Sequence, residues 1–275
     1  MDAPRRSTGL DCGAQRVLQP GRVEIATFIP LALAGFAAGL LDSIAGGGGL
    51  ISLPALLAAG LPPQMALGTN KFQSMCGTAC ALANFHRKSK VMWRVAAAGI
   101  PVALVASAGG ARLALVLPPD ALGKLLILML PPVAIFMFFS RALVRIPKPK
   151  SPAGGGFWAP TILVCATVGV YDGFFGPGTG TFFILALAFF SRIPLVNATA
   201  TAKTFNLATN VGALATFVAA GSLEYPLAVV MAVANVAGNY IGSHFAVKHG
   251  AELIRRILIV SLALLFGYLV WKYYL

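Results

Sequence analysis

Two lysines stand inside the most apolar surroundings of this chain. Lys71, in Ala66-Leu-Gly-Thr-Asn-Lys-Phe-Gln-Ser74, and Lys203, in Ala198-Thr-Ala-Thr-Ala-Lys-Thr-Phe-Asn206, each lie early in a long hydrophobic segment. A lysine at the centre of a bilayer costs about 2.5–3.5 kcal/mol on insertion scales, so a buried one calls for a partner. The partner is either an anion brought from outside or a buried acid, and Asp42 and Asp172 are the matching acids. Snorkelling to the membrane interface is the competing reading, since both lysines follow a loop by a few residues. Their duplicated placement argues against it.

Asp42 and Asp172 each precede a glycine cluster: Gly46, Gly47, Gly48 and Gly49 after the first, Gly176, Gly178 and Gly180 after the second. Glycine lets the backbone turn sharply and approach a ligand. A glycine turn that opens a half-helix also aims backbone N–H groups at an anion. Close helix packing through small residues is the plainer explanation of one such cluster, but two related clusters favour a site. The acids themselves can cap the short helix, pair with a lysine or take up a coupling proton. Thr69, Asn70 and Gln73 surround the first lysine, and Thr201, Asn206 and Asn210 the second, with hydroxyls and amides that suit an oxyanion or join helices.

The two sets of residues share one register. Asp42 to Gly49 aligns with Asp172 to Thr179 at an offset of 172 − 42 = 130, and Lys71 aligns with Lys203 at 203 − 71 = 132. One small insertion near Arg192 to Asn197 accounts for the difference. Matching Asp, Gly and Lys positions in both halves point to a duplication, which sets the architecture before any single motif does.

The elements that must hold these residues are membrane helices. The residues are 58% hydrophobic and 11% charged, against about a quarter charged in a soluble domain. Five apolar segments are expected in each half, near 25–41, 50–59, 64–85, 95–117 and 121–143, then 157–170, 181–190, 196–219, 226–247 and 253–270. The second segment of each half is too short to span about 30 Å of hydrocarbon, and is read as broken or re-entrant. The expected fold is therefore an all-α integral membrane protein of two repeats. A polar tail over residues 1–24 precedes the first repeat at 25–145, and a cytoplasmic linker at 146–156 leads to the second at 157–275.

Basic loops follow the third and fifth segments of the first half (Arg87 to Arg94, Arg141 to Lys150) but the fourth of the second half (Lys248 to Arg256). Basic short loops mark the cytoplasmic side, so the sign pattern inverts between halves, as in inverted-topology transporters with a midplane site. That arrangement puts residues 1–22 outside despite their four arginines. If the short segments do not cross, both halves instead point the same way with both termini cytoplasmic.

The net charge of +13 sits largely in these short loops, so nucleic acid is not an expected partner. The four cysteines form no C-x-x-C pair, and no metal or cofactor is expected. The first apolar run joins the Asp42 motif, which argues against a cleaved signal peptide. No H-E-x-x-H, G-x-S-x-G or P-loop motif is present, which disfavours an enzyme or a nucleotide-driven pump.

The strings DSIAGGGGLISLPALLAAG, ALGTNKFQS and YDGFFGPGTGTFF resemble the signatures of the sulfite exporter TauE/SafE family, also called the toluene sulfonate uptake permease family. The resemblance runs from about Phe28 to the C-terminus. It implies a multi-pass protein of the bacterial inner membrane that carries sulfite, an organosulfonate or a related anion, with export as the expected direction. A carboxylate transporter of the same fold and a passive anion channel are the alternatives. The lipid bilayer and a small anion are the expected partners, with a homodimer as an open assembly. One departure is chemical: Ala202 stands where the first half has Asn70, so the two half-sites differ.

Overall fold

A computed structural model describes residues 25–87, 91–143 and 158–248, and all its elements there are helices. They are α1 (Ile25–Ala45), α2 (Gly49–Ala58), α3 (Pro63–Arg87), α4 (Trp93–Val116), α5 (Pro119–Leu143), α6 (Trp158–Phe174), α7 (Thr179–Phe189), α8 (Leu195–Ala219) and α9 (Tyr225–Lys248). Nine of the ten expected segments thus appear within a few residues of their predicted bounds. The segment at 253–270, the tail at 1–24 and the linker at 146–156 lie outside the described residues.

Local chemistry sets the breaks. Gly46, with φ at 77°, stops α1, and Gly176 and Gly178, at 94° and 82°, separate α6 from α7; an L-residue with a side chain resists all three. Pro63 and Pro119 open α3 and α5 at the first helical position, where the missing N–H has no intrahelical acceptor to lose.

Side-chain contacts give the helix directions. Gly39 lies against the Asn235 carbonyl and Gly242 against that of Leu40, so α1 and α9 run parallel. Gly169 against the Ala103 carbonyl and Gly110 against that of Val170 make α6 and α4 parallel as well. The two sets of contacts match at the offsets read from the sequence, with α9 packed on α1 and α4 on α6. Gln73–Asn235 and Asn84–Ser243 hydrogen bonds align α3 with α9, while Gly99 beside Phe205 and Ser107 bonded to the Thr209 carbonyl align α4 with α8.

Between the two groups the direction reverses. The N–H of Glu224, after α8, donates to Thr69 near the start of α3, and the N–H of Met92, after α3, donates to Thr201 near the start of α8. Helices α1, α3 and α9 therefore run one way and α4, α6 and α8 the other. Ser52 of α2 bonds Asn70, and α2 then returns to the start of α3, so α1 and α2 form a hairpin that turns at the glycines.

The interior is apolar, with one cluster joining Leu50, Leu53, Leu56, Leu122 and Phe217 and another joining Phe183, Leu187, Phe205 and Val95. The outside is apolar too: Val116 is 80% exposed, Val105 and Val233 69% each and Leu33 66%. At roughly 25 cal/mol per Å² such faces are costly in water and neutral in lipid. Four described helices, α1, α4, α5 and α9, are long and apolar enough to cross a membrane. This is an all-helical membrane protein.

Candidate functional site

Both glycine turns and both lysines converge. Lys71 Nζ lies 2.7 Å from Asp172 Oδ1, and Lys203 Nζ lies 2.8 Å from Asp42 Oδ2. Each lysine therefore pairs with the acid of the other half. Lys71 and Lys203 are 1% and 2% exposed, which rules out snorkelling. A buried charge is tolerated when it is paired and hydrogen-bonded, and removing one partner of such a pair costs about 3–5 kcal/mol.

The two pairs differ in support. Lys203 Nζ also donates to the main-chain carbonyl of Asp42, at 2.6 Å, in the last turn of α1. An ammonium there meets the negative end of the helix dipole. Lys71 Nζ donates to Asp172 Oδ1, and Thr179 Oγ1 donates to that same oxygen at 2.8 Å. Asp172 Oδ2 is buried without a hydrogen-bond partner.

Between the pairs lies a cavity of about 20 Å³. Asp42, Gly46, Gly48, Gly49, Asn70, Lys71, Asp172, Gly176 and Asn206 line it, together with Ser74 and Asn210. A water molecule needs about 10–15 Å³ by this kind of measure, so one water fits and an oxyanion does not. A cavity of about 490 Å³ between α5, α6 and α7 is far roomier, but residues such as Phe136, Tyr171, Phe182 and Phe189 line it and no charge does.

Other expected residues stand elsewhere. Thr69 and Thr201 turn away from the cavity, and their hydroxyls accept the N–H groups that open α9 and α4. Those N–H groups have no partner within their own helix, so the threonines bind one half to the other. Gln73 bonds Asn70 and Asn235. Gly180 packs against Gly46, where an added Cβ would meet backbone at 2.4 Å. Gly47 and Gly178 belong to the two turns but do not line the cavity. Lys203 does not line it either and reaches it through Asp42.

Sequence reasoning missed Ser74, Thr78 and Thr179. The repeat register carried a signal for two of them, since 206 − 74 and 210 − 78 both equal 132, which places Ser74 opposite Asn206 and Thr78 opposite Asn210. Thr78 Oγ1 lies 3.3 Å from both Asp42 Oδ2 and Asn206 Oδ1, so it links an acid to the cavity wall. Among the described residues no group of His, Cys, Asp and Glu is arranged to hold a metal.

A model of the family described as "Sulfite exporter TauE/SafE" matches residues 31–269. The chain is 36% identical over 238 residues to a protein of Sinorhizobium sp named "Probable membrane transporter protein ORF9", covering 85% of this chain and 89% of that one. It is 33% identical over 228 residues to "Probable membrane transporter protein YfcA" of Escherichia coli K12, covering 83% and 84%. A "Probable membrane transporter protein" of Haemophilus influenzae is 33% identical over 226 residues, covering 82% and 88%. No solved structure matches. With the family model spanning nearly all of the helical region and relatives this similar along their length, the chain belongs to the sulfite exporter TauE/SafE family of membrane transporters.

Proposed function

We propose that this protein is a secondary transporter, and in direction an exporter, of a small anion such as sulfite or an organosulfonate. The observation that carries the reading is the crossed pairing of Lys71 with Asp172 and Lys203 with Asp42 around a cavity too small for an oxyanion. In the anion-free protein each aspartate carboxylate occupies its lysine. An incoming oxyanion takes the carboxylate's place on the ammonium, and a proton on the displaced Asp42 or Asp172 removes the charge left behind. Asn70, Ser74, Asn206 and the N–H groups of the glycine turns complete the anion's hydrogen bonds.

The two repeats, 25–145 and 157–275 joined by a linker at 146–156, are inverted with respect to each other. The opposed directions of α3 and α8 and the reciprocal contacts at Gly39 and Gly169 support this reading. The α1–α2 and α6–α7 hairpins are then re-entrant, entering and leaving by one face. The end of α3 with Arg87, the start of α4 with Arg94 and the end of α9 then share one side, which the positive-inside rule makes cytoplasmic in a bacterial inner membrane. Alternating access follows as rocking of one repeat against the other, which exchanges the two ion pairs between tight and open.

A carboxylate substrate is the second reading, favoured by the carboxylates already seated on both lysines. Counterflow in proteoliposomes separates the classes: labelled sulfite, a sulfonate or acetate inside, with unlabelled anion outside. Accelerated exchange of one class identifies it. Rapid flux without counterflow indicates a channel, and no flux of any anion removes the reading. A homodimer is the assembly we expect, and cross-linking in membranes tests it.

A further inference from the structure

The surroundings of the two lysines diverge along the helices that lead away from them. On the first side, Asn70 of the cavity wall accepts from Gln73 Nε2 at 2.9 Å, and Gln73 Oε1 accepts from Asn235 Nδ2 at 3.0 Å. Asn239 Nδ2 continues the run to Asn235 Oδ1 at 2.8 Å, and Asn84 Nδ2 to Ser243 Oγ at 2.7 Å closes it near the end of α3. A polar seam thus follows the α3–α9 interface from the cavity to the face that carries the α3–α4 loop.

The register places Ala202, Phe205, Ala103, Ser107, Ala111 and Thr216 at the corresponding points of the α8–α4 interface. Ala103, Ala111 and Phe205 are fully buried, and Ser107 turns its hydroxyl to the Leu104 and Thr209 carbonyls. The same pair of helices packs at both interfaces, so amides are not required to join them. They cost desolvation wherever water is absent.

One more observation favours a route over simple adhesion. Asn239 Oδ1 is buried without a hydrogen-bond partner, an acceptor left for a visitor. Gly77 lets both amides press against α3, where an added Cβ would lie 1.8 Å from Asn235 Oδ1 and 2.3 Å from Asn239 Nδ2. The seam is therefore closed by buried, hydrogen-bonded amides, whereas the other is closed largely by packed carbon.

We propose that the α3–α9 seam is the hydrophilic route by which water and the anion reach the site, and that the α8–α4 seam stays dry. The proposal rests on the transporter reading but is tested without a substrate. In a background with the native cysteines replaced, single cysteines at 239 and 243 are compared with cysteines at 107 and 111, in open membrane fragments that expose both faces. Modification by methanethiosulfonate ethylammonium is expected to be at least about tenfold faster at Asn239→Cys and Ser243→Cys than at Ser107→Cys and Ala111→Cys. Equal rates, the opposite order, or no modification at 239 and 243 would overturn it.

Should Asn239→Cys fail to fold, Ser243→Cys and deuterium uptake of the unmodified protein still decide. Faster amide exchange in 235–243 than in 103–111 supports the route, and the reverse or equality contradicts it. Because neither readout needs an anion, a lysine-independent flux would sink the anion site while leaving this result standing.

Discussion

The half of the site around Lys71 and the half around Lys203 share a plan and differ in chemistry. Lys203 is held twice by Asp42, through its carboxylate and its main-chain carbonyl, and its helix neighbours are Ala202 and Phe205. Lys71 rests on one oxygen of Asp172, and its neighbours are Asn70 and Gln73, which Ser52 and Asn235 tie to α2 and α9. Both halves carry the lysine, the acid and the glycine turn, while the residues around them differ. The lesson is that equivalent positions in the two halves need not be equally held.

The comparison breaks most sharply if a single charge is removed. Lys71→Met leaves Asp172 as an unpaired buried carboxylate and is expected to lower stability by about 3–5 kcal/mol, with Lys71→Met/Asp172→Leu recovering most of it. Thermal unfolding in detergent measures both. Lys203→Met is expected to cost at least as much as Lys71→Met, because two hydrogen bonds are lost; a smaller cost reverses the assignment of the firmer pair.

The turns come next. Gly46→Ala demands both a left-handed conformation at φ 77° and a Cβ 2.4 Å from Gly180, so it should unfold the hairpin or abolish expression. Gly221→Ala carries similar strain at φ 66° with open space around it, and about 1–2 kcal/mol is expected from the conformation alone. Equal losses would mean that the contact between the two hairpins carries nothing.

A smaller effect sharpens the chemical contrast. Asn70→Ala strands the Gln73 amide that it receives and leaves the Ser52 hydroxyl only the Gly48 carbonyl, a loss of about 1–3 kcal/mol in thermal unfolding. Smallest are Thr69→Val and Thr201→Val, each expected to lose about 1 kcal/mol, and by similar amounts, since both accept one N–H at a helix start. Unequal losses would weaken the case for equivalent repeats.

Much of this was legible before any coordinates. The helices were readable because apolar runs of membrane length are bounded by glycine, proline and charge. The short α2 and α7 were readable because ten or eleven residues do not span a bilayer. The pairing is only half readable: Asp42 and Asp172 are candidate partners beside an external anion, but identical spacing in both halves fits pairing within a half as well as across halves. Helix direction was hidden for a similar reason, since loop charge depends on whether the short segments cross. Thr69 and Thr201 misled because a threonine beside a buried lysine looks the same whether it faces a ligand or a helix start. Asn235 and Asn239 share one face of α9 at i, i+4 spacing, but the first half has Ala103 and Ser107 at those points, so the register between halves gives no signal for them.

We propose that the crossed lysine–aspartate pairs form the anion site. The most direct test is sulfite counterflow in proteoliposomes containing Lys71→Met/Asp172→Leu, a neutral replacement chosen to leave the packing intact. A folded protein with flux at the level of empty liposomes is expected, and wild-type flux from that variant would rule the site out.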